Sequence, residues 1–390
     1  MEKVAAGRAG GGAGVTDRNA FVGPRPVPAD RRLYGRDREL LALTNRLMSE
    51  RLILLYSPSG AGKSSLLMAA NGLVARMAEE GFTPLPPATS PPIRLAQFAD
   101  VAAAAGVNRY LLSALIALEA ARPAATRRAP AAVAADLRAA GPELKADFLH
   151  HYLVDLLRPA PAHPVPPDEA DEAAPPAQPF LVFDQFEELL TLDPTDAPAK
   201  QAFLRQLGTA LKDADRWAVI AMREDHVAKL DPYLPLLPTR LAATFRLDFL
   251  GAAAALQAAQ LPPKEAAFGV HFDDDAAAAL VKELAKINVQ DPLTSKSEPK
   301  EGQYVEPLYL QVVCERLWAE RKPTAGDHIT LADVTRLAAA MAPAAGPAGE
   351  GAAPVGPFVD AALAAYYVDT IREVAALPAA AGVTERKLRE

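Results

Sequence analysis

RLILLYSPSGAGKSSLL, residues 51–67, decides the fold. Its first part, RLILLYS (51–57), is a short, unbroken apolar run, as expected for a strand buried on both faces of a parallel sheet. A bend rich in small residues follows, and a helix is expected from Lys63 to about Glu79. Strand, glycine bend and helix in that order are the setting in which G-x-x-x-x-G-K-[ST] works as a phosphate loop, the Walker A pattern. Ser57, Pro58, Ser59, Gly60, Ala61, Gly62, Lys63, Ser64 and Ser65 are therefore candidate nucleotide-binding residues. The small side chains let backbone N–H groups converge on a phosphate, and the helix N-terminus adds partial positive charge. Lys63 is placed to reach the β- and γ-phosphates and Ser64 to ligate Mg2+. Ser57 stands where the pattern has its first glycine, and Ser65 reads equally as a ligand or as ordinary helix-start polarity.

A phosphate loop needs a carboxylate to hold its metal, and PFLVFDQFEELLTL (179–192) supplies one in the Walker B position. Asp184 stands where a second apolar strand leaves the sheet, at the ligand-binding edge of an open α/β core, and is the metal candidate beside Ser64. Many hydrolytic P-loop enzymes carry a glutamate directly after this aspartate to orient the attacking water. Here that position is Gln185, followed by Phe186, Glu187 and Glu188. Two readings stay open: Glu187 or Glu188 supplies the general base from the next turn, or hydrolysis is slow because the base is missing. A third strand in RWAVIAMRED (216–225) ends at Arg223, a candidate catalytic cation for the γ-phosphate, with pairing to Glu224 or Asp225 as the alternative.

Helix patterns alternate with these strands, which predicts a doubly wound α/β core. Before it, a helix at 36–50 carries Leu40, Leu41, Leu43 and Leu47 at helical spacing. Between the first two strands the sequence reads as alanine-rich helices at 110–121 and 142–157, then as a Pro/Ala/acid-rich insert at 159–178. After FRLDFLG (245–251) the pattern becomes all-helical, through 273–286, 307–321 and 331–341. The expected organisation is a disordered tail at 1–18, a core at 19–250, a helical domain at 251–342, a linker at 343–357 and a last segment at 358–390.

Composition narrows the function. Forty-one basic against 48 acidic residues give a net charge of −7, the opposite of a chain held on nucleic acid by general electrostatics. The single cysteine, Cys314, cannot build a disulfide within the chain or a multi-cysteine metal site, which fits a reducing cytoplasm. The glycine-rich N-terminus lacks a signal-peptide pattern, no stretch reaches the roughly 18 apolar residues of a membrane span, and a cytoplasmic protein is expected. The six histidines form no zinc pattern, and His226 reads as structural.

FVGPRPVPADRRLYGRDREL, SPSGAGKSSLL, LVFDQFEELLTL, AVIAMRED and VEPLYLQVVCERLW together resemble the novel STAND NTPases of bacteria, signal-transduction ATPases with numerous domains, over residues 19–390. DQFEELL after an apolar strand is the most diagnostic piece. The resemblance implies a three-layer P-loop NTPase core with a parallel sheet, a helical lid and then a winged-helix domain, with sensor or effector modules attached. It also implies that ADP holds the protein closed and that ATP permits self-association. Tyr34, Gly35 and Arg36 match the segment that covers the adenine, and Pro307 matches a lid proline near the nucleotide, although Val305 replaces the glycine two residues before it. GVTERKLRE (382–390) resembles the start of a winged-helix recognition helix and ends before a wing, so a truncated chain is expected.

The leading expectation is thus an ATP-dependent regulatory switch with ATP/ADP and Mg2+ as its ligands, slow hydrolysis, and no membrane or nucleic-acid partner for this stretch. A phosphotransferase or conventional ATPase is the alternative, although the lid region is mostly alanine and leucine where such an enzyme carries arginines. A DNA-binding regulator acting through its C-terminal helix is the third.

Overall fold

The computed structural model describes residues 19–141, 147–158, 178–290 and 297–340. These residues form two compact units: Pro26–Phe249, and a second made of Leu250 onward with the segment up to Arg25.

The first unit is built on a five-stranded parallel sheet. Its strands are β1 (Leu52–Ser57), β2 (Phe82–Leu85), β3 (Gln178–Phe183), β4 (Trp217–Arg223) and β5 (Thr244–Arg246), in the spatial order β2-β3-β4-β1-β5. Successive side chains alternate between faces, so each apolar run feeds two cores. Ile53, Leu55, Phe180, Val182, Val219 and Ala221 face one layer. Leu52, Leu54, Leu181, Phe183, Ala218 and Ile220 face the other.

On the first face lie α1 (Asp37–Glu50), α2 (Lys63–Met68) and α3 (Leu73–Glu79), which bury Leu40, Leu43, Leu47, Leu66, Leu73 and Met77. The second face carries α4 (Ala99–Ala105), α5 (Arg109–Leu118), α6 (Pro130–Ala139), α7 (Phe148–Leu156), α8 (Glu188–Thr191) and α9 (Ala197–Leu211). Sheet between helical layers is the three-layer α/β arrangement expected from the apolar runs.

Besides the short β5, which was not read, and Leu41, which is exposed on α1 and lies off its buried stripe, two details differ from the sequence reading. The helix expected over 63–79 is broken into α2 and α3, because Asn71 leaves the helical path to bond the backbone of Leu33, accepting from its N–H at 2.7 Å and donating to its C=O at 3.0 Å. Gly72 occupies that break with the carbonyl oxygens of Leu66 and Leu67 2.8 Å from where a Cβ would stand, so no larger residue fits. The second difference is β2, a four-residue edge strand with Pro84 inside it, where no strand was expected. An edge position is what lets a strand tolerate proline.

The second unit is mainly helical. It contains β6 (Leu250–Gly251), α10 (Ala252–Lys264), β7 (His271–Phe272), α11 (Asp274–Leu284), β8 (Lys286–Gln290), β9 (Ser297–Glu301), β10 (Tyr304–Val305), α12 (Pro307–Arg321), β11 (His328–Ile329) and α13 (Leu331–Ala340). Three two-stranded pairings, β6 with β10, β7 with β11 and β8 with β9, join the helices and carry no periodicity long enough to read from sequence. Phe272, Leu280, Val313, Leu317 and Ile329 form its core with Phe21, whose ring meets Trp318 edge-on at 6.2 Å.

The expected tail at 1–18, most of the Pro/Ala-rich insert and the last two expected segments, 343–357 and 358–390, lie outside the described residues. Among the described residues no single helix is long and apolar enough to cross a membrane. The bent pair α4 and α5 passes by length and composition together with the short 3-10 turn that follows it, but its apolar residues sit in the core.

Candidate functional site

Strand β1 ends at Ser57 and α2 begins at Lys63, and the turn between them is possible because Gly60 and Gly62 take φ values of 79° and 94°. Nothing lies within 4 Å of a Cβ added at Gly62, so the need for glycine there is conformational, not steric. Ser59 is exposed, Pro58 half-buried and Ala61 buried.

Lys63 donates from Nζ to the Ser57 hydroxyl at 2.8 Å, and that hydroxyl donates in turn to the Pro58 carbonyl at 2.8 Å. Ser57 is fully buried. Burial pushes the Lys63 ammonium below its ordinary range, opposed by Glu187 and then Asp184, while Arg223 adds to the depression.

Ser64 donates its hydroxyl to Asp184 Oδ2 at 2.5 Å. Asp184 also accepts from the Gln185 N–H at 2.9 Å. Burial raises the carboxyl above its usual range, against the opposing pull of Ser64, Gln185 N–H and Lys63. Strand β4 lies between β1 and β3, and Arg223 is in register with Ser57. A hydroxyl and a buried carboxylate at a helix start form an all-oxygen donor pair, the kind that suits a hard cation such as Mg2+.

The acidic stretch after Asp184 splits into two environments. Glu187 Oε2 accepts from the backbone N–H of Arg223 at 3.2 Å, on the side that faces Lys63. Glu188 turns away. Its Oε1 pairs with Arg94 Nη2, and its Oε2 accepts from the Ala96 N–H at 3.0 Å. The same Arg94 nitrogen bonds Gln185 Oε1, and Gln185 sits at a φ of 54°, a left-handed conformation that few side chains adopt. The Arg223 guanidinium forks onto Asp225 at 3.0 and 2.7 Å and is half-exposed.

Other expected site residues are positioned around the loop. Arg36 is buried, and its Nη2 donates to the Ala61 carbonyl at 3.0 Å and the Asp248 carbonyl at 2.7 Å. Its Nη1 meets Glu39 at 2.9 Å. Gly35, at a φ of 76°, sets the turn into α1, and Tyr34 lies beneath the Arg32 guanidinium at 5.9 Å. The Ser65 hydroxyl accepts from the Val27 N–H at 3.0 Å, so it ties the extended segment 26–36 to α2. Pro307 belongs to the second unit and opens α12, at a helix position with no backbone hydrogen bond to lose.

Three residues at this site were not read from the sequence in these roles. Arg94 precedes its partners by some 90 positions, and no local pattern announces it. Asn71 acts through the backbone of Leu33. Ser57 holds the loop lysine, a signal present in the very departure from glycine.

The family model described as Novel STAND NTPase 1 matches residues 28–346. No curated relative matches the sequence. Among solved structures, the Aeropyrum pernix ORC1 protein in complex with DNA is similar at 15% identity and a TM-score of 0.43, over 90% of this chain and 70% of that one. That superposition is too loose to bear on what this chain binds.

Proposed function

Because the chain belongs to the novel STAND NTPases, with a family match that spans the loop, the acidic strand end and the second unit, we propose that it is an ATP-binding regulatory switch. In this reading the exchange of ADP for MgATP controls the conformation and self-association of a larger signalling, transcription-control or defence protein, and hydrolysis is slow. The observation that carries it is the residue after Asp184. Gln185 stands in the position of the usual water-orienting glutamate, and Arg94 binds it together with Glu188.

The residues have defined tasks in such a switch. Lys63 leaves Ser57 to meet the terminal phosphates, and the N–H groups of the 58–64 turn surround them. Ser64 and Asp184 hold Mg2+, which when bound offsets charge on the phosphate oxygens. Arg223, once released from Asp225, is the cation able to report the γ-phosphate.

Isothermal titration and single-turnover hydrolysis test this proposal. Lys63→Ala should abolish ATP binding, and the native chain should hydrolyse ATP at about 10⁻² s⁻¹ or slower, the range of switches without a complete catalytic set. Unchanged affinity in the variant, or turnover on the order of 10 s⁻¹, would overturn it. A conventional hydrolytic ATPase is the second reading, favoured by one observation, the placement of Glu187 on the Lys63 side.

A further inference from the structure

The second unit brings His328 against His271 and Asp273, the aspartate lying 55 residues earlier in the sequence. β7 and β11 pair in parallel with His271 opposite His328. Alternation along these two strands sends Phe272 and Ile329 into the core, both fully buried. His271 and His328 are consequently exposed on the outer side, and Asp273, two residues after His271, joins them there half-buried. His328 Nδ1 and Asp273 Oδ1 are 2.7 Å apart, and the two imidazole rings lie 5.0 Å apart.

We propose that His271, Asp273 and His328 form a binding site for a borderline transition-metal ion such as Zn2+. One donor atom from each of the three lies within 4.8 Å of the others. Tetrahedral zinc with bonds of about 2.0–2.1 Å needs its ligand atoms about 3.3 Å apart, so a bound ion would draw these at least partly exposed side chains slightly closer around it. Two imidazole nitrogens and one carboxylate oxygen favour Zn2+, Ni2+ or Cu2+ over Mg2+ and Ca2+, so the site is chemically distinct from the oxygen pair at Ser64 and Asp184.

The surroundings single out Asp273 among the nearby acids. It occupies the N-cap position of α11, where an aspartate ordinarily accepts from the helix N–H groups, yet its side chain makes no capping bond and meets His328 instead. Asp327 is engaged by the N–H and hydroxyl of Thr324, and Asp274 by Gln260. An Asp–His pair alone would need only His328; the second imidazole adds nothing to it but completes a metal ligand set. Three protein ligands leave the fourth position of a tetrahedral ion open to water or to a donor from another molecule.

The bound ion would cross-link the strand before α11 to the strand before α13, so metal should stabilise the second unit. The test uses the tag-free 390-residue chain stripped with a chelator, titrated with zinc chloride in excess Mg2+ and melted with and without it. One zinc per chain and a raised melting temperature are expected. His271→Ala and His328→Ala should each weaken binding tenfold or more, Asp273→Asn less, and Lys63→Ala not at all. All three positions are at least partly exposed, so the variants should fold, which circular dichroism checks, and His271→Asn provides a second, conservative loss of ligand. No zinc uptake by the native chain, or equal affinity in a folded His271→Ala/His328→Ala double variant, would overturn the proposal; the latter would point to the sequence-adjacent pair His150 and His151 of the first unit.

Discussion

The Lys63 ammonium donates to the Ser57 hydroxyl at 2.8 Å, so the one basic residue of the phosphate loop rests on the residue that replaces its first glycine. Ser57→Gly removes that partner and adds backbone freedom in the unfolded chain. A stability loss of about 1 kcal/mol is expected by denaturant titration. ATP affinity should stay within tenfold of the native value or tighten, because Lys63 no longer breaks a bond to reach phosphate. A larger fall in affinity would mean that Ser57 itself contacts the nucleotide.

Arg36 lies under the loop with its guanidinium bonded to the carbonyls of Ala61 and Asp248. Arg36→Ala leaves both acceptors without this donor, and a loss of about 3 kcal/mol is expected from hydrogen bonds made by a buried charge. Arg36→Lys should rescue little, since an ammonium cannot reproduce the planar fork. Thermal melts without nucleotide decide the matter: native-like stability in both variants would assign Arg36 to nucleotide contact alone.

Glu187 and Glu188 are adjacent in sequence and opposite in circumstance. Glu187→Gln should slow single-turnover hydrolysis by about 10²-fold if the carboxylate on the Lys63 side is the base. Glu188→Gln should instead cost stability, about 2 kcal/mol, because it takes the charged partner from Arg94, whose Nε is already buried without a bond. Reversed effects in the two variants would exchange their roles.

Glu306 precedes α12 and is raised by burial to about 7, with the Tyr309 side chain pulling the other way. The folded value lies above the ordinary 4.5, so the protonated carboxyl contributes stability that is complete below about pH 4.5 and is lost as pH rises through 7. Its partial exposure to solvent limits the effect to about 1 kcal/mol between pH 5 and pH 8. The melting temperature of the native chain should therefore fall across that window relative to Glu306→Gln, and parallel curves would refute the assignment.

Sequence carried much of this fold where a signal was local and continuous. β1, β3 and β4 are unbroken apolar runs, and both the glycine turn at 60–62 and the carboxylate of Asp184 follow from strand ends. β2 and β5 escaped because four residues with an internal proline, or three residues, are too short for any period to register. Arg94 and the His271–His328 pair escaped for another reason: each is a meeting of distant segments that only the folded sheet and strand pair produce. The helix break at Gly72 could have been suspected from Asn71-Gly72, but its cause lies in Leu33, nearly forty residues earlier.

The hydrogen bonds from Val27 to Ser65 and from Arg36 to both Ala61 and Asp248 have a mechanical side. The chain passes from one unit to the other at Arg25–Pro26 and again at Phe249–Leu250. Val27 is one residue inside the first crossing, and Asp248 one residue inside the second. Both ends of the first unit's chain are thus fastened to the same short stretch, residues 61–65.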